Sequence, residues 1–413
     1  MFEWFTGLNA GEKRTFWACF GGWALDALDV QIYSFVAPIL ITVWHVTAGD
    51  IGQAAFWALF TSAFGGWITG LFSDRIGRVR MLQITIIWFA FFTALSGLTE
   101  NLTQLIIVRA CQGLGFGGEW AAGAVLMGEV IAAKHRGKAV GTVQAGWAVG
   151  WGLAAIASAV LQSFLPPEYA WRGMFLIGLV PALLVFFIRR FVSEPAVFVE
   201  TQKQIAQKGG SGILAIFEPG VIGTTLLASL LATGAQGGYY SITTFLPLFL
   251  KTERHISVTG SSLYLAIIIT ASFLGYVTSA YLADALGRRL NFILFAVLSA
   301  ITVAAYMIVP INDSVMLVLG FPLGFFSAGI FSGMGPFLTE IFPSRMRGSG
   351  QGFCYNVGRA VGAAFPWLVG SLKEELGGLG IAIGVFAVGA YAVMALAALL
   401  LPETRGKTLQ AYE

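Results

Sequence analysis

Charged residues are scarce in this sequence. Asp, Glu, Lys and Arg make up 11% of its 413 residues, against roughly 25% in an ordinary soluble domain. With a mean hydropathy of +0.79, that scarcity excludes a soluble globule and a disordered chain alike. Cysteine is nearly missing. Cys19, Cys111 and Cys354 each lie inside an apolar run, which excludes a disulfide framework and a cysteine-based zinc site. Long polar stretches are missing too: the one interval of any length is Arg189 to Glu218, too short for a signalling domain. No constellation of Ser, His and Cys marks the apolar runs, so an enzyme is not expected, and no cofactor or metal either. Nor is there a cleavable leader, because Lys13-Arg14 precedes an apolar run that is too long and lacks a small-residue cleavage site. It reads as a retained first helix.

Apolar runs fill the space that charge leaves. Twelve segments fit, each near the ~20 residues that cross a bilayer as a helix. They run from about Thr15 to Val43, Ile51 to Phe72, Met81 to Leu98, Leu102 to Val130, Lys138 to Phe164 and Trp171 to Ile188. The second six run from about Pro219 to Leu250, Val258 to Leu282, Asn291 to Val309, Ser314 to Ile341, Gly348 to Leu372 and Gly378 to Leu401. Between the sets, Val197 and Ile205 beside Lys203 and Lys208 suggest a short amphipathic surface helix.

The two sets are copies. Gly70-Leu71-Phe72-Ser73-Asp74-Arg75-Ile76-Gly77-Arg78-Val79-Arg80 returns as Ala280 to Arg289, with Asp284 standing 210 residues after Asp74. Glu129 precedes Arg136-Gly137 as Glu340 precedes Arg347-Gly348, an offset of 211. Ser193-Glu194-Pro195 and Pro402-Glu403-Thr404 close the two sets at an offset of 209. Three landmarks at nearly one spacing indicate a duplication. The expected architecture is an all-α membrane protein of twelve transmembrane helices in two pseudo-symmetric six-helix bundles, residues 1–190 and 219–413, joined by a cytoplasmic loop at 191–218.

Orientation follows from the basic residues. With the N-terminus in the cytoplasm, 18 of the 24 Lys and Arg residues fall inside, as the positive-inside rule requires. Both chain ends are then cytoplasmic. The net charge of +3 reflects this topology and does not point to nucleic acid.

The G-x-x-x-D-R-x-G-R-x-R turn between the second and third segments closely resembles the signature of the major facilitator superfamily, and the resemblance covers the whole chain. It implies a transporter in the plasma membrane, a bacterial inner membrane for preference, and a monomer. Gly70, Asp74, Arg75 and Arg78, their copies Asp284 and Arg288, and the pairs Glu129/Arg136 and Glu340/Arg347 carry cytoplasmic charges. They are expected to latch the two halves rather than touch substrate.

Five charges lie inside the apolar segments: Asp26, Asp29, Arg109, Glu119 and Arg359. Each costs at least ~2.5 kcal/mol to insert, so each must face a partner or water. Asp26 and Asp29 share one face of the first helix, where ionising both is costly; they are candidates to carry a proton, or else a static pair neutralised by Arg109 or Arg359. Arg109 opens R-x-x-x-G-x-G-x-G, which looks like the superfamily's fourth-helix motif, whose arginine is linked to proton coupling. Snorkelling to the outer surface is its alternative. Glu119 is either a second protonation site or the partner of an arginine. Arg359, midway along the eleventh segment, is a ready clamp for a carboxylate, or an interhelical partner of Asp26 or Asp29.

Polar and aromatic residues surround these charges. Gln144, Trp147 and Trp151 fall on the fifth helix, Gln236, Tyr239, Tyr240 and Thr243 on the seventh, Tyr355 and Asn356 on the eleventh. Indole and phenol rings suit a ligand with an apolar body and a polar end; ordinary packing is the alternative reading. Asp26-Ala27-Leu28-Asp29 resembles the D-G-x-D of aromatic-acid symporters, with Ala27 in place of glycine. Gly118-Glu119 and Tyr355-Asn356-Val357-Gly358 are similar to patterns in sialate and monocarboxylate symporters. The resemblance implies a proton-coupled symporter importing a small organic anion by alternating access, with the proton as coupling ion. A sugar or polyol symporter or facilitator is the alternative, since Pro402-Glu403-Thr404-Arg405-Gly406 is similar to sugar porters, although their paired glutamines are reduced here to Gln236. A non-transporting membrane sensor is the reading from another class.

Overall fold

A computed structural model describes residues 3–76, 78–130, 136–191, 216–256, 258–342 and 347–405. The surface helix expected within 191–218 falls almost wholly outside the described residues. After a short turn of helix at Glu3–Thr6, the described residues form twelve spans. The first half contains span 1 (Ala10–Trp44), span 2 (Ala48–Ile76), span 3 (Arg78–Ser96), span 4 (Leu102–Val130), span 5 (Arg136–Gln144 and Gly146–Phe164) and span 6 (Pro167–Ile177 and Val180–Phe191). The second contains span 7 (Ile222–Thr252), span 8 (Val258–Leu286), span 9 (Arg288–Met307), span 10 (Asp313–Ile341), span 11 (Arg347–Gly362 and Ala364–Leu372) and span 12 (Leu379–Leu400).

Helix boundaries follow local chemistry. Span 1 starts earlier than its apolar run because Asn9 and Glu12 form a reciprocal capping box, Asn9 N donating to Glu12 Oε2 at 2.8 Å and Glu12 N to Asn9 Oδ1 at 2.9 Å. Spans 6 and 11 are expected to be continuous and are not. Pro181 and Pro366 have no N–H and crowd the carbonyl four residues back, at Ile177 and Gly362, where the helices end. Span 5 breaks at Ala145, next to Gly146, where a β-carbon would stand 2.6 Å from the Phe20 carbonyl oxygen. Among the described residues, seven helices are long and apolar enough on their own to cross a bilayer.

The duplication reappears in the packing. Spans 2 and 4 meet where a β-carbon on Gly65 would run into the Leu114 carbonyl; spans 8 and 10 meet where one on Gly275 would run into the Phe325 carbonyl. The two glycines are 210 residues apart, close to the sequence repeat. Small residues let these backbones touch. Between halves, span 1 packs on span 7, span 2 on span 11, and span 5 on spans 8 and 10.

Both ends of that seam are tight. On the face predicted to be outside, a β-carbon on Gly52 would stand 2.7 Å from the Pro366 carbonyl oxygen. On the opposite face, one on Gly141 would stand 2.6 Å from Ala280 Cβ, and Lys138 Nζ lies 5.3 Å from the centroid of the Tyr281 ring.

Candidate functional site

The spans bring four buried charges into the interior: Asp26 (0% exposed), Asp29 (1%), Arg109 (3%) and Arg359 (1%). All four positions were singled out by the cost of charge in an apolar run. Arg109 does not snorkel. Its guanidinium carbon lies 4.0 Å from the centroid of the Tyr33 ring, within electrostatic reach of Asp29. Tyr33 is fixed in turn, because its hydroxyl donates to the Ile51 carbonyl at 2.7 Å. Asp29 accepts from Gln112 Nε2, and the same amide nitrogen donates to Thr93 Oγ1 at 2.9 Å. Asp29 thus belongs to a network of spans 1, 3 and 4.

Arg359 is placed differently. Its guanidinium carbon lies 4.7 Å from the Phe116 ring centroid and 5.1 Å from that of Tyr355. None of its three nitrogens makes a hydrogen bond among the described residues. Such burial is costly for a guanidinium without an anion. Tyr240 is close enough to feel the charge of both Arg359 and Asp26. No ion pair joins Arg359 to either aspartate among the described residues.

A cavity of about 30 Å³ lies beside Arg109, lined by Gln31, Tyr33, Arg109, Gln112, Phe116 and Tyr240 among others. That holds little more than water, so a substrate needs the halves to part. Trp147, at 4% exposure, donates from Nε1 to the Tyr239 hydroxyl across the halves at 2.7 Å and packs 5.0 Å from the Trp23 ring. Gln236 donates to the Tyr355 carbonyl at 2.9 Å. Asn356 donates to the Gly352 carbonyl at 2.9 Å and packs where a β-carbon on Gly66 would stand 2.5 Å from its Oδ1. Gln144 and Trp151 are buried; Thr243 and Thr244 line the cavity.

At the predicted cytoplasmic face, Arg288 donates to Asp284 Oδ1 at 2.6 Å and to Glu340 at 3.0 and 3.2 Å. Thr404 Oγ1 donates to Glu340 at 2.7 Å. Glu403 closes the cluster, its carboxylate accepting from the backbone N–H groups of Arg288, Arg289, Thr404 and Arg405 at 2.8–3.0 Å. Span 9 begins at Gly287 with φ of +100° and no side-chain cap of its own, so Glu403 satisfies its free donors from the far end of the chain. All these contacts lie within the second half. The side chains of Asp74, Arg75, Arg78, Glu119, Glu129, Arg136 and Arg347, and Gly70, lie outside the described ones.

Sequence reasoning passed over Tyr33, Thr93, Phe116 and the role of Gln112. Helical spacing offered a signal: Tyr33 is four residues after Asp29, and Gln112 three after Arg109.

The sequence profile of the Major Facilitator Superfamily matches residues 19–311 and again 228–411. The chain belongs to that superfamily. Within it, the chain is 42% identical over 410 residues to a protein of Cupriavidus pinatubonensis named probable 4-methylmuconolactone transporter, covering 99% of this chain and 95% of that one. It is 29% identical over 383 residues to the cis,cis-muconate transport protein of Acinetobacter baylyi, covering 92% and 91%. Among solved structures, the superfamily's proton:xylose symporter XylE, bound to 6-bromo-6-deoxy-D-glucose, superposes with a TM-score of 0.76 at 20% identity, covering 97% of this chain and 98% of that one. At that identity the likeness concerns the fold. This superfamily member is a multi-pass membrane transporter of small organic substrates, and not an enzyme.

Proposed function

We propose that the protein imports a small organic carboxylate together with protons, by alternating access between its halves. The observation that carries this reading is Arg359: a buried guanidinium held between two aromatic rings, with no hydrogen bond to any of its three nitrogens among the described residues. A planar fork in that setting matches a carboxylate, and the rings beside it match an unsaturated or aromatic body. The relatives named for 4-methylmuconolactone and muconate point to the same substrate class.

Asp26 and Asp29 supply the coupling. Ionised, Asp29 attracts Arg109; protonated, it lets go, and the interior loses a negative charge as the substrate brings one in. The halves then rock about the midplane site. The chain ends face the cytoplasm of a cell whose inner membrane holds the protein as a monomer. Residues 1–190 and 219–413 are the rocking units, and the charged loops around Asp74 and Asp284 bias the balance between inward and outward states.

Uptake into proteoliposomes, with and without an inward pH gradient and across a panel of carboxylates and neutral sugars, tests the reading. Gradient-dependent uptake of a carboxylate is expected. Gradient-independent uptake, or uptake of sugars alone, contradicts it.

A further inference from the structure

Arg359 is matched across the seam by a second arginine with spare donors. Arg109 is buried and lines the central cavity, and its Nε and Nη1 make no hydrogen bond among the described residues. Phe116 stands beside both: it lines the same cavity as Arg109 and carries Arg359 over its ring at 4.7 Å. Arg109 and Phe116 are seven residues apart on span 4, roughly 10 Å along a helix. The first half therefore supplies one guanidinium to this region and the second half another, with Phe116 touching both the cavity and Arg359.

Charge completes the picture. Among the described residues, the interior holds two carboxyls and two guanidiniums, Asp26 and Asp29 against Arg109 and Arg359, which sum to zero when all are ionised. A net charge in such a buried site is strongly disfavoured. A monoanion arriving with one proton keeps the sum at zero but leaves one guanidinium and one carboxyl facing each other unused. A dianion arriving with two protons also keeps it at zero, and it engages all four of these described charges.

We infer that this transporter's preferred substrates are planar dicarboxylates, or acids with a second anionic oxygen group at similar distance, gripped by Arg109 at one end and Arg359 at the other and carried with two protons. A six-carbon diacid places its carboxyl carbons roughly 6 Å apart, from five bonds of about 1.5 Å in a zig-zag. One charge-assisted hydrogen bond of about 2.8 Å at each end gives such a diacid a reach on the order of the Arg109–Phe116 separation along span 4. The Tyr33, Phe116 and Tyr355 rings around the guanidiniums select a flat body. This inference rests on the reading of the central site as an organic-anion carrier and narrows it.

The test compares binding of hexa-2,4-dienedioate with hexa-2,4-dienoate, the same chain lacking one carboxylate, by calorimetry on the full-length protein in detergent. The dicarboxylate is expected to bind at least tenfold more tightly. Arg109→Gln should bring the two within threefold by weakening only the dicarboxylate, with melting temperature recorded to confirm that the variant is folded. Monocarboxylate and dicarboxylate binding within threefold of each other in the wild type overturns the two-arginine grip while leaving the anion reading in place. Failure of both acids to bind, where a neutral sugar does bind, overturns both. Should Arg109→Gln not fold, the wild-type comparison decides, together with uptake under an imposed membrane potential. A dianion with two protons moves no net charge, so its uptake is indifferent to potential; a potential-driven rise contradicts the two-proton stoichiometry.

Discussion

The guanidinium of Arg109 rests on the ring of Tyr33, 4.0 Å from its centroid. The ring is fixed because its hydroxyl donates to the Ile51 carbonyl on the next span. The two interactions separate by mutation. Tyr33→Phe keeps the ring and loses a hydrogen bond, a loss of about 1 kcal/mol. Tyr33→Leu also loses the cation–π contact, about 2 kcal/mol where desolvated. Proton-driven uptake is expected to fall sharply in Tyr33→Leu and much less in Tyr33→Phe, with melting temperatures following the same order. Equal loss in both variants would place the contribution in the hydroxyl and not in the ring under Arg109.

Arg359 is the second lever. Arg359→Lys replaces a planar fork with a point charge and should weaken carboxylate binding, while Arg359→Ala should abolish it and leave a folded protein. Calorimetry with a carboxylate probe reads both. Unchanged affinity in Arg359→Ala would assign the residue to packing.

The repeated glycine contacts give a stability prediction. Gly65→Ala and Gly275→Ala each push a methyl group into a carbonyl of the facing helix. Overpacking of this kind costs about 1–3 kcal/mol. Thermal melts should show similar losses for the two, because they occupy equivalent places in the halves. Gly223→Ala, where nothing lies within 4 Å of a β-carbon, is the neutral control.

Glu403 gives the pH dependence. Burial alone would push its carboxyl up, but backbone N–H donors from Arg288, Arg405, Arg289 and Thr404 hold it below the usual carboxylate range. A carboxyl depressed on folding stabilises the fold above its unfolded value, near 4.5, and that contribution fades as pH falls through the folded value. Glu403→Gln should therefore lower the melting temperature most at pH 7, with the gap to wild type closing as the pH drops below about 4. A gap independent of pH would mean the carboxylate charge is not what anchors span 9.

Much of this was legible in the sequence, for reasons particular to lipid. Asp26, Asp29, Arg109 and Arg359 announce themselves because an ionised group in an apolar run has no inexpensive place to go. Tyr33, Thr93 and Gln112 do not, since an uncharged residue in the same run carries too small a penalty to be noticed, and its partner lies on another span. Glu403 is visible as a repeat landmark, yet its cap on span 9 joins residues 115 positions apart, which no local pattern encodes. The breaks in spans 6 and 11 were within reach, through Pro181 and Pro366 acting four residues upstream.

The central claim is that the buried acids of span 1 couple transport to protons. The direct measurement is accumulation of a labelled carboxylate in proteoliposomes with a pH gradient as the sole driving force, beside exchange of labelled for unlabelled substrate at equal pH. An amide mimics the loaded acid but cannot release a proton. Asp29→Asn, which removes the charge facing Arg109 but keeps an oxygen that accepts from Gln112, should abolish uphill accumulation and preserve exchange; Asp26→Asn tests the neighbouring carboxyl in the same way. Accumulation against a gradient by both single variants would contradict the claim.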